Sequence, residues 1–274
     1  MSPRSPRPPL DLGSRKPLGD QLARGFVLLP RLLDPAATEA LGEAAESVLA
    51  RVTERSRAGE TDVTVWPDGH RLVRVEGTTV HWEPDACPPA VRSLSPVTHL
   101  DPVLDALWDD ERITGPMRRI VGSEHLGPFT SKLNFKRAGV GSEFRWHQDF
   151  PYWYCCAGPG ARDVATAMIF LDDVTADNGA LSIVPGSHLR GPAPRDREEP
   201  TGLLVDTART EVRGAVTVEA AAGSVLMFPG LVVHRSGPNR TERDRRSLLL
   251  CFQPAGRPRL DGLPYRAARL ADLP

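Results

Sequence analysis

A histidine and an aspartate two positions apart are the residues of this chain that point most directly to chemistry. Residues 144–150 have the sequence Phe-Arg-Trp-His-Gln-Asp-Phe, an aromatic, strand-like run that contains His147 and Asp149. On an extended strand successive side chains alternate between faces, so His147 and Asp149 point the same way and Gln148 points the opposite way. A neutral imidazole and a carboxylate on one face can occupy two adjacent positions of one metal ion.

A third metal ligand must come from elsewhere, and His234, after the apolar residues 228–233, is the best candidate. Alone, a His-x-Asp pair is a weak signal, because short motifs arise by chance and most histidines are surface or hydrogen-bonded core residues. Two histidines and one carboxylate with the other positions open form the ligand set of non-haem Fe(II) oxygenases. The sequence therefore predicts that His147, Asp149 and His234 form the metal site and the catalytic centre.

An arginine eleven residues after His234 offers a matching anion site. Arg245 lies beyond a Gly-Pro-Asn turn and next to the apolar strand 248–252, where it shares a face with Ser247. A guanidinium fork and a hydroxyl suit the distal carboxylate of a dicarboxylic cosubstrate. We expect this strand to pair with the strand of His234 and Arg246 to point to the opposite face. The neighbouring Arg240 and Arg243 are interpreted as solvated surface charges.

Four blocks of sequence together resemble the phytanoyl-CoA dioxygenase family of Fe(II)/2-oxoglutarate-dependent oxygenases. They occur in order through the C-terminal half of the chain, whereas the N-terminal half resembles the family more loosely. The blocks are Trp-His-Gln-Asp at 146–149, Leu-Asp-Asp through Asn-Gly-Ala-Leu at 171–181, Val-Pro-Gly-Ser-His at 184–188, and His-x-Ser-Gly-Pro-Asn at 234–239 with Arg245. The pattern is specific for the family and not for any substrate.

The resemblance implies an all-β core, a double-stranded β-helix (a cupin-like jelly roll) with flanking α-helices. It implies a dioxygenase that uses Fe(II), O2 and the cosubstrate 2-oxoglutarate, which is converted to succinate and CO2. Such an enzyme hydroxylates or otherwise oxidises a C–H bond of a small-molecule substrate. Halogenating relatives replace the carboxylate ligand with a small residue, so the presence of Asp149 favours hydroxylation or a related oxidation such as desaturation or ring formation.

The resemblance also places further side chains around 2-oxoglutarate. Arg245 binds its C5 carboxylate, with Ser236 and Ser247 as lesser partners. Met168 stands where the family often has a tryptophan that contacts the cosubstrate. For Lys132 two interpretations stay open: an inward second cation for the cosubstrate, or a surface lysine at the end of a strand.

Two other classes of function also stay open. One is a cupin-like metalloprotein with non-oxidative chemistry, which would not need Arg245 and Ser236. The other is a non-catalytic binding module, which would not need an intact set of metal ligands. Release of succinate on addition of Fe(II), ascorbate and 2-oxoglutarate discriminates the proposed oxygenase from both.

Composition narrows the class of protein without naming a substrate. Hydrophobic residues make up 40% and charged residues 25% of the chain, and the formal net charge is −1, so neither a nucleic acid nor an anionic membrane is expected as a partner. The four cysteines lack zinc-type spacing, and no apolar run is long enough to span a bilayer. We expect a cytoplasmic protein that is a monomer or a weak homodimer.

The remaining pattern predicts a flexible leader at residues 1–19 and a single domain at 20–274. Apolar and capping signals predict a strand at 25–29, a helix that begins after Asp34, a loop at 55–68, a strand at 71–75, an irregular stretch at 82–96, and helices at 101–108 and 116–121. From residue 129 onward strands dominate, interrupted by a long polar loop at 190–209 that is typical of lids or disordered segments. Four histidines without a carboxylate at ligand spacing are interpreted as surface or structural residues: His70, His81, His99 and His125. For His188 the family resemblance implies a structural role.

Overall fold

The computed structural model describes residues 18–57, 62–66, 69–84 and 86–260. The helices are α1 (Leu18–Ala23), α2 (Pro35–Arg57), α3 (Pro102–Asp105), α4 (Glu111–Val121) and α5 (Asp149–Ala157). The strands are β1 (Val27–Leu29), β2 (Asp62–Val65), β3 (Arg71–Val75), β4 (Thr78–Trp82), β5 (Val91–Ser95), β6 (Leu126–Lys136), β7 (Phe144–His147), β8 (Ala165–Phe170), β9 (Leu181–Ile183), β10 (Val216–Val218), β11 (Val225–Pro229), β12 (His234–Ser236) and β13 (Arg245–Pro254).

The strands form two antiparallel sheets. The large sheet has nine strands in the order β1-β11-β8-β13-β6-β5-β4-β3-β2, and the small sheet has four in the order β10-β9-β12-β7. Long stretches of sequence separate many neighbours, as with β13 between β8 and β6. The predicted all-β core with flanking helices is therefore confirmed. Within the described ranges, no helix combines the length and apolar character needed to cross a membrane.

The long strand β6 shows how the sheet divides core from cavity. Leu133 and Phe135 are fully buried in a core cluster that also contains side chains of α2 and α4. Lys132, Asn134 and Lys136, which alternate with them, line a cavity on the other face of the sheet. This is the arrangement that the alternating sequence predicts, because residues i and i+2 of a strand share a face. At β6 one face of the sheet is thus apolar and helix-covered, and the other is polar.

Helix termini follow their capping residues. The side chain of Asp34 accepts a hydrogen bond from the backbone N–H of Ala37 at 2.9 Å, which confirms the predicted start of α2. The helix predicted at 116–121 begins earlier, at Glu111, because Asp110 caps it and Pro116 is tolerated inside it. Its predicted end is confirmed, since Gly122 has the left-handed conformation that closes helices.

Other predictions were partly wrong in the N-terminal half. The stretch 82–96 contains the end of β4 and the whole of β5, and the predicted loop 55–68 contains the end of α2 and all of β2. These short strands gain their stability from antiparallel neighbours, which a local pattern does not reveal. Of the predicted leader, residues 1–17 lie outside the described part, and residues 18 and 19 begin α1. The single domain at 20–274 stays a prediction.

Replacing Ile113 with alanine tests the packing of α4 on the large sheet. Ile113 is fully buried in the core cluster, so we expect Ile113→Ala to lower the free energy of unfolding by roughly 2–5 kcal/mol. Arg119→Ala, at an exposed position of the same helix, should change it by less than about 0.5 kcal/mol. Chemical denaturation followed by circular dichroism measures both. Equal losses for the two variants would contradict this packing.

Candidate metal centre and active-site cavity

The two candidate histidine ligands face each other across a pair of strands. His147 is the last residue of β7 and His234 is the first residue of β12, and the antiparallel register makes them direct partners. Their ring centroids lie 4.2 Å apart. Cross-strand partners on one face of a sheet approach closely, so the small sheet brings together two histidines that are far apart in the sequence.

The aspartate comes from a different element than the sequence predicted. The strand ends at His147, and Asp149 is the first residue of α5 rather than a strand residue. Gln148 between them keeps an extended backbone, with φ −115° and ψ 146°, so the Asp149 side chain still returns to the side of His147. His147 Nε2 lies 3.7 Å from Asp149 Oδ1, and the ligand atoms of His147, Asp149 and His234 all lie within 4.8 Å of one another.

Backbone carbonyls orient both imidazole rings. His147 Nδ1 lies 2.7 Å from the carbonyl oxygen of Arg145, and His234 Nδ1 lies 3.0 Å from that of Val232. A carbonyl can only accept, so the proton of each neutral ring is placed on Nδ1 and the Nε2 lone pair is left for a metal. Burial, and then the neighbouring His234, lower the pKa of His147, which favours this neutral form.

The donor set fits a divalent transition metal such as Fe(II). It consists of two neutral nitrogens and one carboxylate oxygen, without a sulfur ligand, and the adjoining cavity leaves the remaining coordination positions open. Burial raises the pKa of the Asp149 carboxyl, and a bound cation would offset the same desolvation cost. The residues present therefore suit the metal that the sequence implied.

Gln148 points away from the metal ligands and fixes the loop 190–209. Its Nε2 donates to the carbonyl oxygens of Gly191 at 3.1 Å and Leu231 at 2.6 Å, and its Oε1 accepts from the N–H of Ala193 at 2.8 Å. Leu204 of the same loop forms a β-bridge with His147. The loop is thus held against β7, the strand that ends at His147. Three of its residues line the cavity: Glu199, Thr201 and Leu204.

The candidate ligands lie in a cavity of about 340 Å³ between the two sheets. Both polar and apolar side chains of the large sheet line it, among them Lys132, Asn134 and Met168. It extends from Arg245 on β13, past the metal ligands, to residues on or next to the outer strands β2–β5, among them Trp66, Leu72 and His81. This shape offers one end for a cosubstrate and another for a substrate.

Arg245 is a buried cation that has no anionic partner among the residues the structure describes. It is 1% exposed; its Nη1 donates to Ser247 Oγ at 3.3 Å and its Nη2 donates to the carbonyl oxygen of Gly179. In the described part of the chain no carboxylate pairs with it, since Asp172, the opposite charge that acts on it, pairs with Arg246 at 2.7 Å. Burial lowers the pKa of Arg245 to about 10. A buried guanidinium without a carboxylate partner can bind an anionic ligand, and the bound anion would offset the cost of burying its charge.

The expected pairing between the strand of Arg245 and the strand of His234 is wrong. Strand β13 lies in the large sheet between β6 and β8, whereas β12 lies in the small sheet. Arg245 therefore reaches the metal centre from the facing sheet and not along a shared edge. The predicted alternation is confirmed, because Arg246 points to the other face and pairs with Asp172 and, at 3.3 Å, with Glu46.

The lesser cosubstrate candidates divide into two groups. Ser236 and Met168 line the cavity. Ser247 is fully buried beneath it and contacts Arg245, so it acts on that guanidinium rather than at the cavity surface. Lys132 lies in the cavity wall near the Phe144 ring, with Nζ 5.0 Å from the ring centroid, and the interpretation as a surface lysine is wrong. Burial and the nearby Arg92 lower the pKa of Lys132 to about 8.

Several cavity residues were missed in the sequence. Lys136 donates to the carbonyl oxygens of Ser142 and Gly237, each at 2.6 Å, and burial next to Arg245 lowers its pKa to about 6. Its place on the polar face of β6 was the available signal. Arg92, which pairs with Glu83 at 3.3 Å, lies in the stretch that was interpreted as irregular. His70 and His81, interpreted as surface or structural, also line the cavity.

Comparison with known proteins extends these observations. The family model described as "Phytanoyl-CoA dioxygenase (PhyH)" matches residues 23–247. The chain is 29% identical over 245 residues to the ectoine dioxygenase of Halomonas elongata, covering 84% of this chain and 66% of that protein. It is 31% identical over 180 residues to the ectoine dioxygenase of Bordetella bronchiseptica, covering 60% of this chain and 57% of that protein. The matches thus span less than two thirds of these relatives.

Other relatives widen the range of chemistry. The L-proline trans-4-hydroxylase of Streptomyces griseoviridis is 29% identical over 221 residues, covering 67% of this chain and 76% of that protein. The crystal structure of EctD from S. alaskensis with 2-oxoglutarate and 5-hydroxyectoine has the same fold, with a TM-score of 0.66, 24% identity, and coverage of 90% of this chain and 82% of that one. Because the family model matches most of the chain, the chain belongs to the phytanoyl-CoA dioxygenase (PhyH) family.

Proposed function

We propose that this protein is an Fe(II)- and 2-oxoglutarate-dependent dioxygenase that hydroxylates or otherwise oxidises a C–H bond of a small molecule. One observation carries the proposal: two histidines and a carboxylate meet in a cavity that also contains the guanidinium of Arg245, which pairs with no carboxylate in the described part of the chain. The ligand set suits Fe(II), and the arginine suits the far carboxylate of a chelated dicarboxylate. Relatives named for their action on ectoine and on L-proline support a small organic substrate.

Each side chain has a defined role in this proposal. His147, Asp149 and His234 hold the iron. Arg245 binds the C5 carboxylate of 2-oxoglutarate through a two-pronged contact, while Ser247 orients Arg245. The bound iron and cosubstrate supply the oxidising chemistry, with succinate and CO2 as products, and the protein supplies position and a pocket that excludes water.

Two further residues complete the cosubstrate site. Ser236 follows His234 on β12 with one residue between them, so the two side chains share a face and its hydroxyl can contact a cosubstrate chelated at the metal. Met168 offers an apolar surface in the cavity wall where the family often has tryptophan.

Two other functions are less well supported. A cupin-like metalloprotein with non-oxidative chemistry has no need for a buried, unpaired arginine that faces the metal cavity. A non-catalytic binding module has no need for two imidazoles whose Nδ1 atoms are both held by carbonyls so that Nε2 stays free. The buried guanidinium, which pairs with no carboxylate among the described residues, costs folding free energy unless a ligand uses it.

Cosubstrate turnover tests the proposed function. Purified protein with Fe(II), ascorbate and 2-oxoglutarate should release succinate slowly even without the prime substrate, and omission of iron should stop this release. The measurement is chromatographic quantification of succinate. An iron-loaded protein that neither binds 2-oxoglutarate nor releases succinate would refute the proposal.

Replacing Asp149 with glycine tests the carboxylate ligand. We expect Asp149→Gly to lose C–H hydroxylation, because the iron is no longer held on three sides, while the two histidines retain part of the iron. The open position can then admit chloride. Product analysis by mass spectrometry together with iron content measures both effects. Undiminished hydroxylation by this variant would remove Asp149 from the metal site.

A further inference from the structure

The part of the cavity beyond the metal ligands has features that restrict the substrate. The whole cavity measures about 340 Å³, near the lower end of the roughly 300–1,000 Å³ that is usual for ligand pockets. It must hold both the cosubstrate and the substrate. The substrate-side wall combines apolar and aromatic side chains, such as Leu72 and Trp66, with a few charged groups. A compact substrate with its own charges fits this space.

Lys132 is the first of these charged groups. In the register of β6 and β13, Lys136 is the partner of Arg245 whereas Lys132 is the partner of Leu249. Four residues along a strand correspond to about 13 Å. The backbone of Lys132 is therefore well separated from Arg245, where the far carboxylate of the cosubstrate is expected to bind. Of the described carboxylates, none forms an ion pair with Lys132, and the charges that act on it are Arg92 and Asp149. Lys132 is therefore a cation in the cavity wall that has no ion-pair partner among the described residues.

The second charged group of the substrate-side wall is Glu199 on the loop 190–209. It is 9% exposed and lines the same cavity. Its Oε2 accepts hydrogen bonds from the N–H of Thr201 at 3.0 Å and from the Thr201 hydroxyl at 2.5 Å. Within the described ranges, its Oε1 has no hydrogen-bond donor and no cation pairs with the carboxylate. Glu199 is therefore a nearly buried anion whose second oxygen is left for a ligand.

We propose that the prime substrate is a small zwitterion, whose anionic group binds Lys132 and whose cationic nitrogen binds Glu199. The inference rests on the proposed function, since it assigns the substrate end of that site. Lys132 lies on β6 of the large sheet, whereas Glu199 lies on the loop that contacts His147 of the small sheet, and among the described ion pairs none joins the two side chains. A buried charge without a partner is costly. A ligand with one charge leaves one of the two side chains unpaired, whereas a zwitterion satisfies both.

The assignment also separates Lys132 from the cosubstrate. If Lys132 bound 2-oxoglutarate, replacing Lys132 would weaken cosubstrate binding, and replacing Glu199 would not. If both side chains bind the substrate, replacement of either weakens substrate binding and leaves cosubstrate binding nearly unchanged. The two possibilities differ in which titration is affected.

The experiment uses the anaerobic Fe(II)–2-oxoglutarate complex of the full chain and follows its metal-to-ligand absorption band. The probes are the proteinogenic amino acids with uncharged side chains and their cyclic and N-methylated analogues, each compared with its N-acetyl derivative, an anion, and its carboxamide, a cation. We expect band shifts and stimulated succinate release only from members of the zwitterionic set. Lys132→Met and Glu199→Gln should each weaken that response roughly ten- to a hundredfold. Glu198→Gln, at the exposed neighbouring position, should not.

The outcomes are distinguishable. If the band does not form in the wild-type protein, the proposed function fails. If the band forms but no zwitterion, or only an N-acetyl or carboxamide derivative, produces a response, the zwitterion inference is wrong and the proposed function stands. An unchanged response in Glu199→Gln, or a raised Kd for 2-oxoglutarate in Lys132→Met, would likewise overturn the inference. A normal band in each variant shows that the variant is folded.

Discussion

His147→Ala and His234→Ala should each abolish Fe(II)-dependent turnover and lower iron affinity by at least about a hundredfold, since loss even of groups that only orient metal ligands costs roughly 10–100-fold. Each histidine supplies one of three ligand atoms that lie within 4.8 Å of one another. Removing either leaves one imidazole and one carboxylate, which hold a divalent ion far more weakly than three ligands do. Iron content after anaerobic loading and gel filtration, together with succinate release, measures both effects.

The matched control for these variants is His125→Ala, because His125 is exposed and lies outside the cavity. It should keep normal iron content and turnover. The ligand variants should retain their circular dichroism spectra, since the free Nε2 atoms make no structural hydrogen bond in the described part of the chain. Near-normal activity with stoichiometric iron in either ligand variant would make the metal assignment wrong.

Arg245→Ala should raise the Kd for 2-oxoglutarate far more than it changes iron affinity. Removing one partner of a buried, hydrogen-bonded charge pair costs roughly 2–5 kcal/mol, which corresponds to about one and a half to three and a half decades in affinity. The guanidinium is almost fully buried and has no carboxylate partner among the described residues, so the cosubstrate is its expected anion. A 2-oxoglutarate titration of the anaerobic Fe(II) complex, followed by its absorption band, measures the change.

Arg246→Ala is the control on the same strand. Arg246 faces away from the cavity and pairs with Asp172 and Glu46, so its loss should lower stability and leave cosubstrate binding nearly unchanged. Arg245→Lys should restore affinity only partly, because an ammonium group cannot reproduce a two-pronged contact. A damaging Arg246→Ala combined with a mild Arg245→Ala would mean that the wrong face of β13 had been assigned to the cosubstrate.

Features that depend on short-range geometry could be predicted from the sequence. The alternation of Lys132, Asn134 and Lys136 with Leu133 and Phe135 indicated which face of β6 is polar, and the structure has that division. The opposite faces of Arg245 and Arg246 follow from the same two-residue period. The side chains of His147 and Asp149 lie on the same side, as their spacing predicts, even though a helix begins at Asp149, because Gln148 remains extended.

Features that depend on partners distant in sequence could not be predicted in this way. The position of β13 in the large sheet is decided by its contacts with β6 and β8, and nothing local to Arg245 reveals them. Strand β5 lies in a proline-rich stretch that looks irregular until β4 and β6 pair with it. The contribution of Glu199 to the cavity depends on a loop that folds back onto β7, a contact made by Leu204 and His147.

The pairing of His147 with His234 has a consequence for the stability of the whole chain. These ligands lie on separate strands and are far apart along the backbone, so the complete site exists only in the folded protein. An ion held there acts as a cross-link between β7 and β12, and its binding free energy is added to the free energy of unfolding. Free metal at a hundred times its Kd adds about 2.7 kcal/mol. The metal-loaded and metal-free forms are therefore two proteins of different thermal stability with one sequence.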